Sequence, residues 1–153
     1  MRLTVRGEYA LRALTYLGRN YGPEVVPISS IAEAENLPRR FLEQILNDLR
    51  LGGFVESRRG VSGGYRLAKA PTEIPLAAVI RHLHGALAPV SCVSEKYYEK
   101  CNCPDEARCA LRAVMKEVRD TVAHQLEHTS VADLAARAKA LHATEPANAD
   151  FAI

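Results

Sequence analysis

The turn Asn36-Leu37-Pro38 constrains the fold of this chain more than any other segment, because helical patterns flank it on both sides. Asn tolerates strained turn geometry, and Pro38 keeps the residue before it out of a helix and starts a new helix well. A helix is therefore predicted over about 39–51, ended by Gly52-Gly53. Its buried stripe comprises Phe41, Leu42, Ile45, Leu46 and Leu49.

A shorter helix is predicted before this turn, over 31–35. Ser29-Ser30 offers its N-cap, and Glu33 completes a capping box. An earlier helix begins after Thr4 and ends near residues 20–23. Two short helices joined by a tight turn form a helix-turn-helix, whose second helix enters the major groove of DNA.

A β-hairpin is predicted directly after the second helix of this pair. Residues 54–58 are typical of a strand, 59–64 of a glycine-rich turn and 65–67 of the returning strand. Arg58, Arg59 and Arg66 lie on or beside the hairpin, where guanidinium groups could reach phosphates or the minor groove. Each piece alone fits an ordinary hairpin, but helix, turn, helix and arginine-bearing wing in this order favour DNA binding.

All the cysteines lie in one segment of the second half, after an amphipathic helix predicted over 76–83. They are Cys92, Cys101, Cys103 and Cys109. The stretch 89–104 has Pro at both ends and no clean periodicity, which is typical of a loop. Soft thiolates favour iron–sulfur clusters, zinc or copper, while reversible disulfides stay an alternative.

A long helix is predicted from Asp105, with one apolar stripe. The stripe comprises Leu111, Val114, Met115, Val118, Val122 and Leu126. Such a helix needs a partner, either within the chain or in a second copy. Thr129 and Ser130 cap a final helix that ends at Ala140, and 141–153 is expected to be a disordered tail. The fold class is mainly α with a small β-hairpin wing.

Composition limits the function classes. The formal net charge is only +2, so an argument for nucleic acid depends on local clustering of charge. The sequence has no apolar run as long as a membrane span and no signal-peptide pattern, so we expect a cytoplasmic protein without a membrane partner. It also lacks a nucleotide-binding loop, a paired carboxylate site and a cysteine with an obvious catalytic base. We therefore do not expect this protein to be an enzyme.

Three separated motifs resemble one known family. They are Met1-Arg2-Leu3-Thr4 with Gly7, Tyr9 and Ala10; Leu42-Glu43-Gln44-Ile45-Leu46 with Leu49-Arg50; and Arg59-Gly60 with Gly63-Gly64-Tyr65. With the cysteine segment, this pattern is similar to that of the Rrf2-type winged-helix transcription regulators, which include IscR-like and NsrR-like iron–sulfur regulators. The resemblance covers roughly residues 1–135.

The resemblance implies a DNA operator as partner and a homodimer that pairs through the long helix. It implies that Arg39, Arg40 and Gln44 read bases, and that Arg59 enters the minor groove. Arg can pair with guanine and Gln with adenine, which suits these positions. Glu43 could accept a hydrogen bond from cytosine or simply exclude wrong bases. Two further arginines, Arg2 and Arg58, complete the expected DNA-binding set.

The resemblance also implies an iron–sulfur cluster, [2Fe–2S] or [4Fe–4S], with three cysteines supplied by the loop. Because Cys101 and Cys103 compete for the middle position, ligation by all four cysteines is also open. IscR-like members place His three residues after the last cysteine, but this chain has Arg112, which cannot ligate. Zinc or no cofactor is the alternative.

Glu8 occupies the first-helix position that NsrR-like members use, so its carboxylate could reach the cluster from the partner subunit. The alternative is an ion pair with Arg12, one helical turn later, which stabilises a helix by a few tenths of a kcal/mol. The sequence is compatible with both roles of Glu8.

The function expected is that of a dimeric DNA-binding transcription regulator that senses redox, iron or nitric oxide status through the Cys92–Cys109 loop. The alternative is an iron-free thiol or zinc-dependent regulator on the same fold. The expected domains are a winged helix-turn-helix over 1–70, a connecting helix over 71–88, a cluster-binding loop over 89–104, a dimerisation helix over 105–128, a C-terminal helix over 129–140 and a tail over 141–153.

Overall fold

The computed structural model describes residues 3–144, and within them the chain forms six α-helices and one two-stranded sheet. The elements are α1 (Val5–Arg19), α2 (Ile28–Ala34), α3 (Arg39–Leu51), β1 (Val55–Arg58), β2 (Gly64–Leu67), α4 (Leu76–His84), α5 (Ala110–Glu127) and α6 (Val131–Ala143). The predicted fold class is confirmed. The Arg2 prediction and most of the predicted tail, 145–153, lie outside the described residues.

Helix α1 lies at the centre of the core. Thr4 caps it, because its Oγ1 accepts a hydrogen bond from the Gly7 amide at 3.3 Å. One face buries Ala10, Ala13, Leu14 and Leu17. The small residues on this face allow neighbouring helices to approach closely, and α1 packs against α3, α4 and α6.

The helix-turn-helix is formed by α2 and α3. The bounds predicted for α3 are confirmed, and its buried face matches the predicted stripe except for the half-buried Phe41. The start predicted for α2 was wrong: the helix begins at Ile28, after Pro27, so Ser29 and Ser30 lie inside its first turn. Pro27 precedes the helix in an extended conformation, with φ −58° and ψ 141°. Asn36 adopts φ 49° in the turn, as its side chain permits.

The wing is an antiparallel hairpin in which Val55 pairs with Leu67 and Arg58 with Gly64. The extended stretch before α2 joins it, since Val26 and Tyr65 exchange backbone hydrogen bonds of 2.7 and 2.8 Å. This close pairing requires glycine at position 64, because a Cβ there would lie 2.2 Å from the Val26 carbonyl oxygen. The wing is therefore attached to the helix-turn-helix on both sides.

Two antiparallel backbone hydrogen bonds attach the C-terminal half to the same core. Leu76 donates to the Thr129 carbonyl at 2.9 Å, and Val131 donates to the Ile74 carbonyl at 2.9 Å. Ile74 and Val131 are fully buried in one cluster with residues of α1 and α3. The starts of α4 and α6 are thus fixed against the winged domain. Among the described helices, none is long and apolar enough to cross a membrane.

Two predicted helix ends differ from the structure. Helix α5 begins at Ala110 rather than Asp105, because the Asp105 carboxylate accepts from the amides of Ala107 and Arg108 and so stabilises a turn outside the helix. Helix α6 has the predicted Ser130 cap, in a capping box with Asp133, but it continues to Ala143. Residues 141–143, predicted as tail, are therefore helical.

The apolar stripe of α5 divides into two edges. Leu111, Val114 and Val118 are 63%, 52% and 43% exposed. The other edge, Met115, Val122 and Leu126, is half-buried, and Leu126 packs beside α4. The stripe predicted from the sequence therefore serves two surfaces: one edge meets the chain's own core, and the other faces outward.

The contact at Gly64 makes a prediction about stability. Replacing Gly64 with Ala should lower the free energy of unfolding by about 1–3 kcal/mol, the usual cost of overpacking, since the Val26 backbone cannot move freely. The matched control is Gly22→Ala, where a Cβ meets nothing within 4 Å and whose effect should stay within about 0.5 kcal/mol. Urea unfolding of the three proteins measures both values. Equal stabilities would show that the wing is not held as described.

Candidate functional site

An arginine-lined groove of about 750 Å³ runs between the start of α2, helix α3 and the wing. Three residues of the predicted DNA-binding set, Arg39, Arg58 and Arg59, line it. All three are exposed, and they come from two separate elements. The fold therefore brings together guanidinium groups that are distant along the chain, in a concave surface open to solvent.

The other predicted residues of α3 lie beside this groove. Arg40, Glu43 and Gln44 are exposed but do not line it. Arg39 and Glu43 form an ion pair at 3.6 Å, one helical turn apart. Such an exposed pair contributes little to stability, so Arg39 can exchange Glu43 for a phosphate or a base edge at low cost.

Two further groove residues, Asn47 and Arg50, are not in the DNA-binding set predicted from the sequence. Both are exposed on α3, and the Arg50 guanidinium donates to the Asn47 side-chain oxygen at 2.9 Å. With Arg39 and Glu43 they form a series of spacings of four, four and three residues, which places them on one helix face. That spacing was visible in the sequence and could have identified them.

Arg66 has a different role from the one suggested by its place on the hairpin. Its guanidinium donates to the Glu56 carboxylate at 2.9 and 3.1 Å and to the Pro23 carbonyl at 2.7 Å. Glu56 is its cross-strand partner in the hairpin register. The Arg66 guanidinium thus stabilises the wing, whereas Arg58 and Arg59 line the groove.

A second site lies at the start of α5, where a cavity of about 230 Å³ is lined by all four cysteines. Cys92 is buried, whereas Cys101, Cys103 and Cys109 are half-buried, and all are free thiols. The Cys103 and Cys109 sulfurs are 3.7 Å apart. Cys109 also caps α5, because its sulfur accepts from the Arg112 amide at 3.4 Å. The predicted cysteine loop therefore does gather its thiols in one place.

The thiols shift one another's pKa values. Hydrogen bonds with Cys101 and Cys109, together with burial, raise the pKa of Cys103 to about 12. The hydrogen bond from Cys103 lowers the pKa of Cys101. Burial raises the pKa of Cys92, and the neighbouring Cys101 adds to that rise. Cys103 therefore keeps its proton to a higher pH than Cys101, which loses its own more easily.

The thiol pocket is not arranged around a single ion. Over residues 3–144, no group of three or more His, Cys, Asp and Glu side chains stands where it could hold a metal ion. Two thiolates on one tetrahedral metal with bonds of about 2.3 Å would be about 3.8 Å apart. The 3.7 Å between Cys103 and Cys109 fits that separation, so this pair could share a metal without rearrangement.

Glu8 lies away from the cysteine cavity of its own chain. It is exposed on α1 and pairs with Arg12 at 3.6 Å, as the alternative reading of this residue predicted. Arg12 also binds Glu35, the residue that follows α2, so it ties the helix-turn-helix to α1. The side chain of Glu8 is 56% exposed, so it faces outward from the protomer.

One polar contact links the cysteine half to α1. His84, the last residue of α4, hydrogen bonds through Nε2 with the hydroxyl of Thr4 at 3.1 Å, and Thr4 caps α1. Burial, with a smaller contribution from Arg6, lowers the pKa of His84. A Cβ on Gly7 would lie 2.2 Å from the His84 ring, so glycine permits this approach.

Comparison with known proteins identifies the family. The model of the family described as "Rrf2: Iron-dependent Transcriptional regulator" matches residues 3–137. This chain belongs to the Rrf2 family. An rrf2-like putative HTH-type transcriptional regulator of Rhodobacter capsulatus is 43% identical over 120 residues, which cover 76% of this chain and 80% of the relative.

Two solved Rrf2-family structures share the fold. The structure of CymR, named the global cysteine regulator of B. subtilis, has a TM-score of 0.76 and 31% identity, covering 90% of this chain and 98% of that one. T. potens IscR has a TM-score of 0.71 and 26% identity, covering 99% and 97%. As an Rrf2-family member, the protein is a DNA-binding transcription regulator with a winged helix, and it is not an enzyme.

The arginine groove makes a prediction about DNA affinity. For duplex DNA of arbitrary sequence, Arg58→Ala and Arg59→Ala should each make the slope of log K against log salt concentration less negative by about 1, because each removes one positive charge from the surface expected to neutralise phosphates. The control is Arg137→Ala, an exposed residue of α6 outside the groove, which should leave the slope unchanged. Fluorescence anisotropy titrations at several salt concentrations measure the slopes. Unchanged slopes in both wing variants would exclude the groove as the phosphate-binding surface.

The thiol pKa values make a prediction about reactivity. In reduced, metal-free protein at about pH 8.5, near the ordinary cysteine pKa, Cys101 should be alkylated faster than Cys103, because only the thiolate reacts. Raising the pH should narrow the difference, since Cys103 loses its proton only near pH 12. Peptide mass spectrometry after timed iodoacetamide exposure measures both rates. Faster alkylation of Cys103 than of Cys101 would contradict the higher pKa assigned to Cys103.

Proposed function

We propose that this protein is a homodimeric transcription regulator that binds an iron–sulfur cluster through the Cys92–Cys109 loop and responds to redox, iron or nitric oxide status. The observation that carries the proposal is the convergence of four free thiols on one cavity at the start of α5, in a family described as iron-dependent. Such a regulator acts on DNA in a reducing compartment, so we also propose a cytoplasmic location.

The grouping of the thiols supports ligation by all four cysteines. Cys103 lies against Cys109, and the buried Cys92 lies close enough to Cys101 for the two thiols to hydrogen bond. Because Cys101 also hydrogen bonds with Cys103, the four thiols form one continuous group, as ligation of a single cluster requires. The Arg112 side chain lines the same cavity but, as a guanidinium, cannot serve as a ligand. The cluster, when bound, supplies a redox-active centre that oxygen or nitric oxide can attack.

Glu8 of a partner subunit stays a candidate ligand, as the resemblance implied. Its exposed position on α1 leaves it accessible to a second copy of the chain. Ligation would cost its pair with Arg12, which is worth about 0.3–0.5 kcal/mol at this helical spacing. Arg12 would keep its contact with Glu35. The cost is therefore too small to prevent Glu8 from binding iron.

The exposed edge of α5 supports the homodimer. Leu111, Val114 and Val118 form an apolar strip on a helix that contributes no fully buried residue in the described protomer. Pairing this strip across a two-fold axis would remove it from water. Such a dimer would present two copies of α3 to successive major grooves of a near-palindromic operator.

We propose that base reading is shared between the start of α3 and the wing. Arg39, Arg40 and Gln44 would contact bases in the major groove, with Glu43 accepting from cytosine or rejecting other bases. Arg58, Arg59 and Arg2 would contact the backbone and the minor groove beside it. That Arg39, Arg58 and Arg59 line one groove supports a DNA-binding surface shared by α3 and the wing.

Sensing would follow from the path between the cysteine loop and α1. The loop begins just after α4, whose last residue, His84, contacts the cap of α1. A change in cluster state that moves the loop would therefore move α5 and the end of α4 relative to the winged domain. Changing the spacing of two recognition helices changes operator affinity.

A second candidate is an iron-free thiol or zinc-dependent regulator on the same fold. The observation favouring it is the 3.7 Å contact between Cys103 and Cys109, two thiols that zinc or oxidation could join. The similarity to CymR, named a global cysteine regulator, is compatible with it. Colour separates the two candidates, since zinc and dithiol forms are colourless.

Native mass spectrometry of protein purified without oxygen tests the proposal. We expect a dimer that carries iron and sulfide. Replacing each cysteine with Ser in turn should lower bound iron in all four variants if all four ligate, whereas one of Cys101→Ser and Cys103→Ser should retain iron if only three do. A dimer that stays free of iron, or carries zinc, after cluster reconstitution would reject the cluster in favour of the second candidate.

The same preparations test the coupling. Holo and apo protein should bind the operator with different affinities across a salt series, because cluster loss would change the spacing of the two recognition helices. Glu8→Gln serves as the matched variant for partner ligation, since it removes a charge but keeps the size of the side chain. Equal affinities of holo and apo protein at every salt concentration would show that the loop does not control DNA binding.

A further inference from the structure

Two arginines of α5 hold the backbone of the cysteine loop. Arg112 donates through Nε to the Cys92 carbonyl oxygen at 3.2 Å, and Arg119 donates through Nη1 to the Val93 carbonyl oxygen at 2.6 Å. The arginines are seven residues apart, which is two helical turns, so they project from one edge of α5. Their acceptors are adjacent residues. The first part of the loop is therefore attached to α5 at two neighbouring carbonyls.

Both guanidinium groups also bind carboxylates, and Arg119 is the more buried of the two, since 35% of the Arg112 side chain is exposed. Arg119, whose side chain is only 13% exposed, pairs with Asp120 at 2.8 Å and lies 3.7 Å from the Glu95 carboxylate. Arg112 pairs with Glu106 at 3.3 Å. A charged side chain loses water only where such partners replace it, and hydrogen bonds from charged donors are stronger than neutral ones. The two arginine–carbonyl hydrogen bonds are therefore part of a network of charged and polar contacts, not isolated contacts at the surface.

Arg112 touches both ends of the thiol group. Its guanidinium holds the Cys92 carbonyl, while its backbone amide donates to the Cys109 sulfur. Cys109 is fixed by its place at the start of α5, but Cys92 belongs to a different segment and reaches the cavity only if the loop is folded back. The arginine contacts supply that attachment on the Cys92 side.

We propose that Arg112 and Arg119 are positioning residues that fix Cys92 beside the other three thiols before any ligand binds. Ordering a loop during binding reduces affinity, so a loop that is already ordered holds its ligand more tightly. The assignment gives Arg112 a role of its own at a position where IscR-like relatives carry a histidine. The claim that the thiols hold a cluster rests on the proposed function. The claim that the arginines fix Cys92 is independent of it.

The test follows the accessibility of Cys92 in reduced, metal-free, full-length protein. In Arg112→Met and Arg119→Met, which keep an apolar stem but remove the donors, iodoacetamide should modify Cys92 about tenfold faster than in the wild type, as expected for local opening after loss of one charge-assisted hydrogen bond. Arg108→Met is the control: its side chain is 89% exposed and pairs with Asp105 at 3.6 Å, away from both carbonyls. Its Cys92 rate should match the wild type.

Lysine at either position keeps the charge but loses the planar fork, so Arg112→Lys and Arg119→Lys should show intermediate Cys92 rates. Circular dichroism checks that each variant is folded. Should a methionine variant unfold, the lysine variant at that position decides: a faster Cys92 rate supports the assignment, and a wild-type rate overturns it. Cys92 rates in folded methionine variants that equal the Arg108→Met rate would also overturn it.

Bound iron and sulfide after reconstitution give a second readout. Both should fall several-fold in Arg112→Met and Arg119→Met and stay at the wild-type level in Arg108→Met. If the wild-type protein takes up no iron, the cluster proposal fails, while the alkylation rates still decide whether the arginines position Cys92. If iron binds normally to variants whose Cys92 reacts faster, the arginines fix the loop without contributing to ligand binding, which overturns the preorganisation step.

Discussion

The structure depends on the burial of one face of α1. Its small and aliphatic side chains, from Ala10 to Leu17, pack against the helix-turn-helix on one side and against α4 and α6 on the other. Ile74 and Val131 join the same buried cluster as Leu42 and Ile45. The DNA-reading half and the cysteine-bearing half therefore share one core rather than forming two independent units. A displacement of α4 therefore also displaces α1, because close-packed interiors transmit strain.

The sequence predicted those elements whose determinants are local. The bounds of α3 followed from a proline, a glycine pair and an unbroken apolar stripe, and the structure confirms them. The start of α2 was misplaced because Ser29 and Ser30 are good caps in isolation, while the pairing of Val26 with Tyr65 fixes the chain earlier. The start of α5 was misplaced because Asp105 satisfies backbone amides in a turn of its own. In the first case a contact with the wing outweighs the local capping preference, and in the second the acidic residue forms a local turn instead of the start of the helix.

The site residues show the same limit. Arg58 and Arg59 were identified by their position on the hairpin, but only the strand register reveals that Arg66 faces Glu56 and is occupied by it. The thiols were identified as a group, yet which thiol lies against which depends on how the loop folds. The carbonyl contacts of Arg112 and Arg119 could not have been predicted, since neither the loop path nor the inner edge of α5 is defined by a sequence pattern.

Helix α5 combines two surfaces on one rigid element. Arg112 and Arg119 lie on the edge that holds the cysteine loop, while Leu111, Val114 and Val118 lie on the exposed apolar edge. Because a helix rotates and translates as a unit, a movement of α5 that weakens the arginine–loop contacts also moves its apolar edge. If that edge pairs two protomers, the state of the thiols and the geometry of the dimer are mechanically linked without a separate relay. The coupling would then be a property of one helix, and its strength would depend on how firmly the two arginines hold the loop.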